Sequence, residues 1–268
     1  MKAINIVRSL TLAAALLGAS SVQAQSPEQI AQDVLAKNPV IDGHNDAPEQ
    51  IAERFASDFS QFDFRNTLPT TGTGSKVMHT DINRLRQGRV GGQFWSVWID
   101  PELPEFEAVQ RVIEQIDIVH RLVDTYPDDL QLALTADDVE AARENGRIAS
   151  LIGMEGGHSI GNSLAVLRQA YALGARYMTL THWKTLDWAD SATDTPKSNG
   201  LSEFGVSVVQ EMNRLGMIVD ISHVSEATMN DALDATKAPV IFSHSSADGV
   251  TSHPRNVPDS VLKRLPAN

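Results

Sequence analysis

Short apolar runs rich in Val, Ile and Phe alternate along this chain with longer segments of helical periodicity. The apolar runs are predicted strands at residues 40–42, 92–99, 148–154, 177–181, 217–221 and 239–242. Helical segments are predicted at residues 105–125, 137–144, 163–172, 203–215 and 226–235. Strands separated by helices in this way form a parallel sheet through right-handed crossovers.

The strand ends discriminate between the two α/β architectures that fit this alternation, an open doubly wound sheet and a barrel. An open sheet usually has a glycine-rich phosphate turn after its first strand, and VIDGHNDA at residues 40–47 is not such a turn. Strand after strand instead ends in an acid or a His, in IDGHND, LIGMEGG, MTLTH, VDISH and IFSHSS. Because barrel enzymes build their sites at the C-terminal ends of the strands, the pattern favours a (β/α)8 TIM-type barrel.

The length limits how much of that barrel the chain can form. The chain has 268 residues, and the sixth predicted strand ends near His244. A complete barrel of this type needs about 250 residues, so we expect about six of its eight strand-helix units. The sequence contains no internal repeat or linker, and residues 67–76 are predicted to form a surface loop. We therefore predict one barrel domain at residues 25–268.

The first 24 residues have the pattern of a secretory signal peptide. Lys2 and Arg8 precede an apolar stretch at residues 10–19, and VQA ending at Ala24 is a small-x-small cleavage pattern. We expect cleavage after Ala24 and export of residues 25–268 to the periplasm or the exterior. The apolar stretch is too short to span a bilayer, so the cleaved chain is predicted to have no integral membrane segment.

Composition excludes several other classes. The chain is 42% hydrophobic and 21% charged, which is ordinary for a globular protein. It contains no Cys, so it forms no disulfides. Its formal charge of −12 becomes −14 without Lys2 and Arg8, which disfavours nucleic acid as a partner. Composition does not decide the oligomeric state and leaves room for a homodimer.

Five residues at strand ends are candidate metal ligands. His44 and Asp46 lie two apart on an extended segment and therefore project from one face. Glu155 closes the third predicted strand, where a carboxylate can bridge two metal ions. His223 and His244 end the next-to-last and last predicted strands, in VDISH and IFSH. This set of nitrogen and oxygen donors suits zinc.

Two further residues are candidates for substrate contacts. His182 ends the fourth predicted strand and can hydrogen-bond a substrate or a developing oxyanion, with a sixth-ligand role as the alternative. Arg255 can hold a substrate carboxylate in a two-point fork, or it is simply a surface residue. The remaining histidines are expected to have no ligand role: His79, His120, His158 and His253.

These stretches together resemble the membrane (renal) dipeptidase family of zinc peptidases, family M19. The resemblance lies in IDGHND, GGQFWSVWI, GMEGG, LTHW with DWADSATD, GLSEFG, MNRLGMIVDISHVS, and APVIFSHSS with HPRNVPD. It implies a barrel with two Zn²⁺ ions and cleavage of dipeptide substrates that have a free carboxyl end. The implied residues are His44 and Asp46 for the first ion, His223 and His244 for the second, Glu155 as the bridge, His182 on the substrate side, and Arg255 for the carboxylate.

The resemblance also implies a mechanism in which a hydroxide held between the two ions attacks the peptide carbonyl. Family members supply the acid/base aspartate from a later strand, and no residue of this chain matches it. We therefore expect the chain to be a C-terminally truncated dipeptidase that is poorly stable, and weakly active or inactive, by itself. The alternatives are another binuclear-metal amide or ester hydrolase and a non-catalytic zinc-binding remnant.

Overall fold

The computed structural model describes residues 25–68 and 77–268. The predicted signal peptide, and residues 69–76 of the predicted loop, lie outside this part of the chain. In chain order the helices and strands are α1 (Pro27–Lys37), β1 (Val40–Asn45), α2 (Ala47–Phe55), α3 (Ile82–Gln87), β2 (Val90–Trp98), α4 (Glu105–Thr125), β3 (Leu130–Leu132), α5 (Ala136–Glu144), β4 (Ile148–Glu155), α6 (Leu164–Ala172), β5 (Ala175–Thr179), α7 (Glu203–Leu215), β6 (Ile218–Asp220), α8 (Glu226–Ala235) and α9 (Asp259–Leu262). Short 3₁₀ turns occur at Phe59–Gln61, Gly157–Ile160 and Leu265–Ala267.

All strand pairs of the sheet are parallel, in the order β1-β2-β4-β5-β6. The short strand β3 pairs with the N-terminal half of β4, while β5 pairs with its C-terminal half. The sheet curves so strongly that its first strand approaches the segment after its last strand. A Cβ atom on Gly43 of β1 would lie only 2.7 Å from the carbonyl oxygen of Ser243, which follows β6. The architecture is an incomplete (β/α)8 barrel, as the strand-end pattern predicts.

Strand residues alternate between two environments, as the two-residue period of a strand requires. On β2, Trp95 and Val97 pack under the helices, while Phe94 faces the barrel interior with Tyr177. The next inward residue, Ser96, is also buried. Every second side chain of a strand therefore faces the barrel interior, and the last of these inward side chains lies at the mouth of the barrel.

Side-chain caps mark where loops become helices. Ser202 accepts the backbone N–H of Gly205 at the start of α7, and Ser225 accepts that of Thr228 at the start of α8. Thr135 and Asp138 form a reciprocal capping box at α5. Because these caps satisfy N–H groups that the first helical turn leaves free, each helix starts at a defined residue after a strand-end loop.

Three features of the fold differ from the sequence prediction. The predicted strand at 239–242 is wrong in extent, since only Ile241 bridges to Asp220 beside β6. Pro239 has no N–H to donate to a ladder, and the chain turns toward Asp220 at Ser243. Strand β3 was not predicted, because three residues are too few to show a period. Helices α1, α2 and α3 were not predicted either.

Candidate metal centre

The seven candidate residues lie at or beyond the C-terminal ends of the strands. His44 is on β1, and Asp46 follows directly, at the position before α2. Glu155 is the last residue of β4 and is only 3% exposed. His182 follows β5, and His223 follows β6. His244 and Arg255 come after the bridge at Ile241.

The carboxylate of Glu155 is the centre of the cluster. Its Oε1 lies 2.9 Å from Nε2 of His223, 3.2 Å from Nε2 of His244 and 3.4 Å from Nε2 of His182. Its Oε2 lies 3.5 Å from Nε2 of His44, which is itself 3.0 Å from Oδ1 of Asp46. Four imidazoles thus direct the same ring nitrogen at one buried carboxylate.

Two groups of ligand atoms are close enough to share an ion. One contains His44, Glu155 and His244, and the other contains Glu155, His182 and His223. In each group the ligand atoms lie within 4.8 Å of one another. The His44 and His244 rings stack with centroids 3.8 Å apart, and the His182 and His223 centroids are 4.1 Å apart. Glu155 belongs to both groups, which is the position of a bridging ligand.

The electrostatics of the cluster keep the carboxylate charged. Burial by itself would raise the pKa of Glu155, but hydrogen bonds from His182 and His223 hold that pKa well below its usual range. Burial lowers the pKa of His223 to about 4, although Glu155 opposes the shift. Burial also lowers the pKa of His44, but Asp46 and Glu155 outweigh it, so the net change is an increase. A neutral imidazole beside a carboxylate is a suitable donor pair for a divalent cation.

The backbone of His223 is in an uncommon conformation. Its φ of 65° lies in the left-handed region, which is costly for a residue with a side chain. Two donors of the loop after β5 hold its carbonyl oxygen: the N–H of Ala192 at 2.7 Å and the hydroxyl of Thr181 at 3.3 Å. This loop therefore fixes the direction in which the His223 ring leaves β6.

Residues at the end of β1 shape the turn that presents the first pair. Asp42 accepts the backbone N–H of His44 at 3.2 Å. Asn45 accepts the N–H of Ala47 at 3.1 Å and donates to the hydroxyl of Thr80 at 2.8 Å. These bonds let β1 end in a tight turn at the start of α2, with His44 and Asp46 side by side.

Sequence reasoning missed several buried partners of the ligand residues. Ser96 donates to Oε2 of Glu155 at 3.1 Å, and the Tyr177 hydroxyl lies 3.3 Å from Nδ1 of His44. Asp220 is fully buried beneath the segment that carries His244. The available signal was a polar residue inside an apolar run, in QFWSVW, ARYMT and IVDIS. Such partners orient metal ligands.

A cavity of about 330 Å³ opens above the cluster. It is lined by His44, Asp46, Glu49, Trp98, Glu155, His182, His223, His244 and Arg255. Arg255 donates from Nη2 to the carbonyl of His244 at 3.4 Å, and its buried Nε has no partner among the described residues. Burial, with help from Glu53, raises the pKa of Glu49 on the same wall to about 7. Sequence analysis gave no signal for Glu49.

The other histidines make contacts of their own or lie away from Glu155. Nε2 of His158 lies 2.8 Å from the carbonyl of Ile99, and Nε2 of His120 lies 2.8 Å from that of Leu173. Nδ1 of His253 accepts the backbone N–H of Arg255. The cavity that His79 lines is a different one, although it also reaches His44 and Asp46.

The acidic loop after β5 is an internal structural element. Asp190 is fully buried and accepts the backbone N–H groups of Lys197, Ser198 and Gly200 at 2.7, 3.1 and 2.8 Å. Asp187 pairs with Lys197 at the surface. Asp190 is thus an internal hydrogen-bond acceptor that holds the loop together.

An incomplete parallel barrel with a His/carboxylate cluster at its C-terminal end is the arrangement typical of metal-dependent hydrolases built on barrels. The membrane dipeptidase (peptidase family M19) model matches residues 28–268. The chain therefore belongs to the membrane dipeptidase family.

A curated relative supports the same assignment. The chain is 47% identical over 246 residues to the dipeptidase verJ of Clonostachys rogersoniana, a match that covers 88% of this chain and 61% of that protein. The chain thus spans about 61% of the length of this relative.

Solved structures have the same fold. The probable dipeptidase PvdM from Pseudomonas aeruginosa superposes with a TM-score of 0.75 at 22% identity, covering 90% of this chain and 61% of that one. A metallopeptidase from Rhodobacter sphaeroides, solved with a phosphinate mimic of the dipeptide L-Ala-D-Ala, superposes with a TM-score of 0.72 at 24% identity, covering 85% of this chain and 70% of that one.

Within residues 25–68 and 77–268, no helix is long and apolar enough to cross a membrane.

Proposed function

We propose that this protein is a zinc-dependent dipeptidase. The carrying observation is the convergence of four imidazole Nε2 atoms on the buried carboxylate of Glu155, at 2.9 to 3.5 Å. Family membership supports a dipeptide substrate, and the donor set supports zinc. The N-terminal pattern KAINIVRSL…VQA supports export to the periplasm or exterior.

The residues present fit two metal ions. In the family pattern His44 and Asp46 would hold one ion, His223 and His244 the other, and Glu155 would contact both. In this structure the donor atoms group differently, as His44, Glu155 and His244 and as Glu155, His182 and His223. The ions supply the Lewis acidity and the activated water that amide hydrolysis needs. The buried, ionised Glu155 brings negative charge into the mouth of the barrel, which lowers the cost of placing two cations there.

Two residues on the cavity wall have the chemistry to position a dipeptide. His182 lies between Glu155 and Trp98, and its imidazole can donate to the oxygen of the scissile carbonyl as negative charge develops. The buried Nε of Arg255 has no partner within residues 25–68 and 77–268, and it lies beside Nη2, so this edge of the guanidinium can bind a carboxylate. In this assignment the peptide carbonyl faces His182, and the free carboxyl end faces Arg255.

The test combines metal analysis with hydrolysis. We expect about two zinc ions per chain by mass spectrometry of the dialysed protein, and weak hydrolysis of L-Ala-D-Ala or another simple dipeptide but none of a lactone. His223→Ala is expected to lose zinc and turnover, while the matched control His120→Ala retains both.

Other outcomes contradict specific parts of the proposal. Two zinc ions without hydrolysis of any dipeptide would indicate a non-catalytic zinc-binding protein. Lactone hydrolysis without dipeptide hydrolysis would indicate a different hydrolase of the same metal type. Loss of a zinc ion in His182→Ala would make His182 a ligand instead of a substrate contact.

A further inference from the structure

The buried carboxylate of Asp220, at the end of β6, accepts four hydrogen bonds. Its Oδ1 accepts the backbone N–H groups of Ser222 and Ser243, at 3.0 Å each. Its Oδ2 accepts the hydroxyls of Thr179 at 2.5 Å and of Ser243 at 2.6 Å. Because an ionised carboxylate can only accept, both hydroxyl protons point at Asp220.

This arrangement determines what Ser243 offers to its neighbour. A serine hydroxyl has one proton, and here that proton is committed to Oδ2 of Asp220 at 2.6 Å, because the other acceptor, Oγ of Ser222, is farther away at 3.3 Å. The same Oγ lies 2.8 Å from Nδ1 of His244, so it can only accept at that contact. A neutral His244 must therefore carry its ring proton on Nδ1, and its Nε2 keeps a lone pair.

The orientation of that lone pair matters for the metal centre. Nε2 of His244 lies 3.2 Å from Oε1 of Glu155 and 2.8 Å from Nε2 of His223. Among the described residues, Nδ1 of His182 and Nδ1 of His223 are buried without a hydrogen-bond partner. Of the three imidazoles around Oε1 of Glu155, His244 is the one whose Nδ1 has a hydrogen-bond partner among the described residues.

We propose that Asp220 and Ser243 are positioning residues that lock His244 in the Nδ1–H tautomer and so prepare its Nε2 to bind a divalent cation. The part of the inference that concerns cation binding rests on the proposed metal function. The tautomer itself is a property of the metal-free protein. The two parts can therefore fail separately.

Asp220→Asn is a sharp test because the amide has nearly the same shape as the carboxylate. Its Oδ1 can still accept the two backbone N–H groups, but its Nδ2 now donates toward Ser243. Ser243 Oγ must then accept from the amide, and its own proton turns to Nδ1 of His244 at 2.8 Å, which is nearer than Oγ of Ser222 at 3.3 Å. The His244 proton moves to Nε2, where it competes with a cation.

Two substitutions remove single hydroxyls and form a matched pair. Ser243→Ala removes the acceptor for Nδ1 of His244. Thr179→Val is nearly isosteric and removes the other hydroxyl bonded to Oδ2 of Asp220, but Thr179 does not contact His244. A purely structural role of the network predicts similar effects of the two substitutions, whereas the positioning role predicts an effect on His244 from Ser243→Ala alone.

The first readout is the tautomer, measured by long-range ¹⁵N–¹H correlation spectra of the metal-free protein, with His244→Gln identifying the resonance. We expect Nδ1–H in the unsubstituted protein and in Thr179→Val, Nε2–H in Asp220→Asn, and a mixture in Ser243→Ala. An Nε2–H tautomer in the unsubstituted protein, or no change in Asp220→Asn, would overturn the inference.

The second readout is zinc affinity, measured by competition with a chromophoric chelator. We expect zinc to bind about 10- to 100-fold more weakly at one site in Asp220→Asn and Ser243→Ala, and within about 3-fold of normal in Thr179→Val. Equal weakening in Ser243→Ala and Thr179→Val would reduce the role to a structural one and overturn the proposal. If the tautomers are as predicted but the unsubstituted protein does not bind zinc, the roles of Asp220 and Ser243 stand and the proposed metal function is rejected.

Discussion

Replacing Gly153 by alanine is expected to damage the metal centre from beneath. Gly153 lies on β4, and a Cβ atom there would lie 2.0 Å from Cζ of Tyr177 and 2.4 and 2.5 Å from its Cε atoms. Carbon atoms in contact are about 3.5 Å apart, so the ring would have to move by roughly 1.5 Å. Tyr177 is fully buried against Phe94, and its hydroxyl contacts Nδ1 of His44, so the ring cannot move without disturbing a candidate ligand.

The size of the effect follows from this overlap. Overpacking a close-packed interior lowers the free energy of unfolding by about 1–3 kcal/mol. Because the Tyr177 ring is fully buried, we expect the loss in Gly153→Ala to lie at the upper end of that range. For a domain of this size about 3 kcal/mol lowers the melting temperature by about 6–12 °C. Circular dichroism during heating measures the change, and we also expect weaker zinc binding.

Two controls separate the clash from a general effect of alanine. Gly146→Ala adds a methyl group with no atom within 4 Å, so it costs only the strain of its φ of 68°, about 1 kcal/mol. Tyr177→Leu removes the ring atoms that the new Cβ would meet, so in that background Gly153→Ala should cost less than about 1 kcal/mol. A Gly153→Ala protein that melts within 1–2 °C of the unsubstituted one, or strict additivity with Tyr177→Leu, would refute the reasoning.

Three further predictions concern acid, the acidic loop and the metal. Burial lowers the pKa of His158 to about 4, so the folded protein binds fewer protons there than the unfolded chain between pH 6.5 and 4. The contribution of neutral His158 to the free energy of unfolding is fully present above pH 6.5, and up to about 3 kcal/mol of it is lost as the pH falls to 4. Urea unfolding of the metal-free protein should show a smaller decrease in His158→Gln, and an unchanged decrease would reject this cause. Asp190→Ala leaves three backbone N–H groups without their acceptor and should cost about 3 kcal/mol and expose the loop to protease, whereas the surface control Asp187→Ala should cost under about 1 kcal/mol. Equal protease sensitivity of these two variants would contradict the role of Asp190. Chelation should lower the melting temperature of the zinc-loaded protein but not that of Glu155→Gln, and a similar drop in both would show that Glu155 is not a ligand.

Much of the architecture could be predicted because its signals are local. The apolar runs, helical periods and polar strand ends predicted a parallel barrel, and five predicted helices lie within one residue of their observed bounds. The short strand β3 and the reduced pairing at Ile241 could not be predicted. Both depend on where neighbouring strands lie, and neither leaves a pattern in three or four residues.

By itself, the sequence determined which residues reach the mouth of the barrel. His44, Glu155 and His223 lie at or just beyond the ends of strands. The two-residue period of a strand and the polar turn that follows it are encoded locally. Only the tertiary structure decided how those residues meet. It places His244 beside His44, and it joins Asp220 to Ser243 across 23 positions of the chain. Hydrogen bonds of this kind depend on ångström-scale distances between separate strands, and the curvature of the sheet sets those distances.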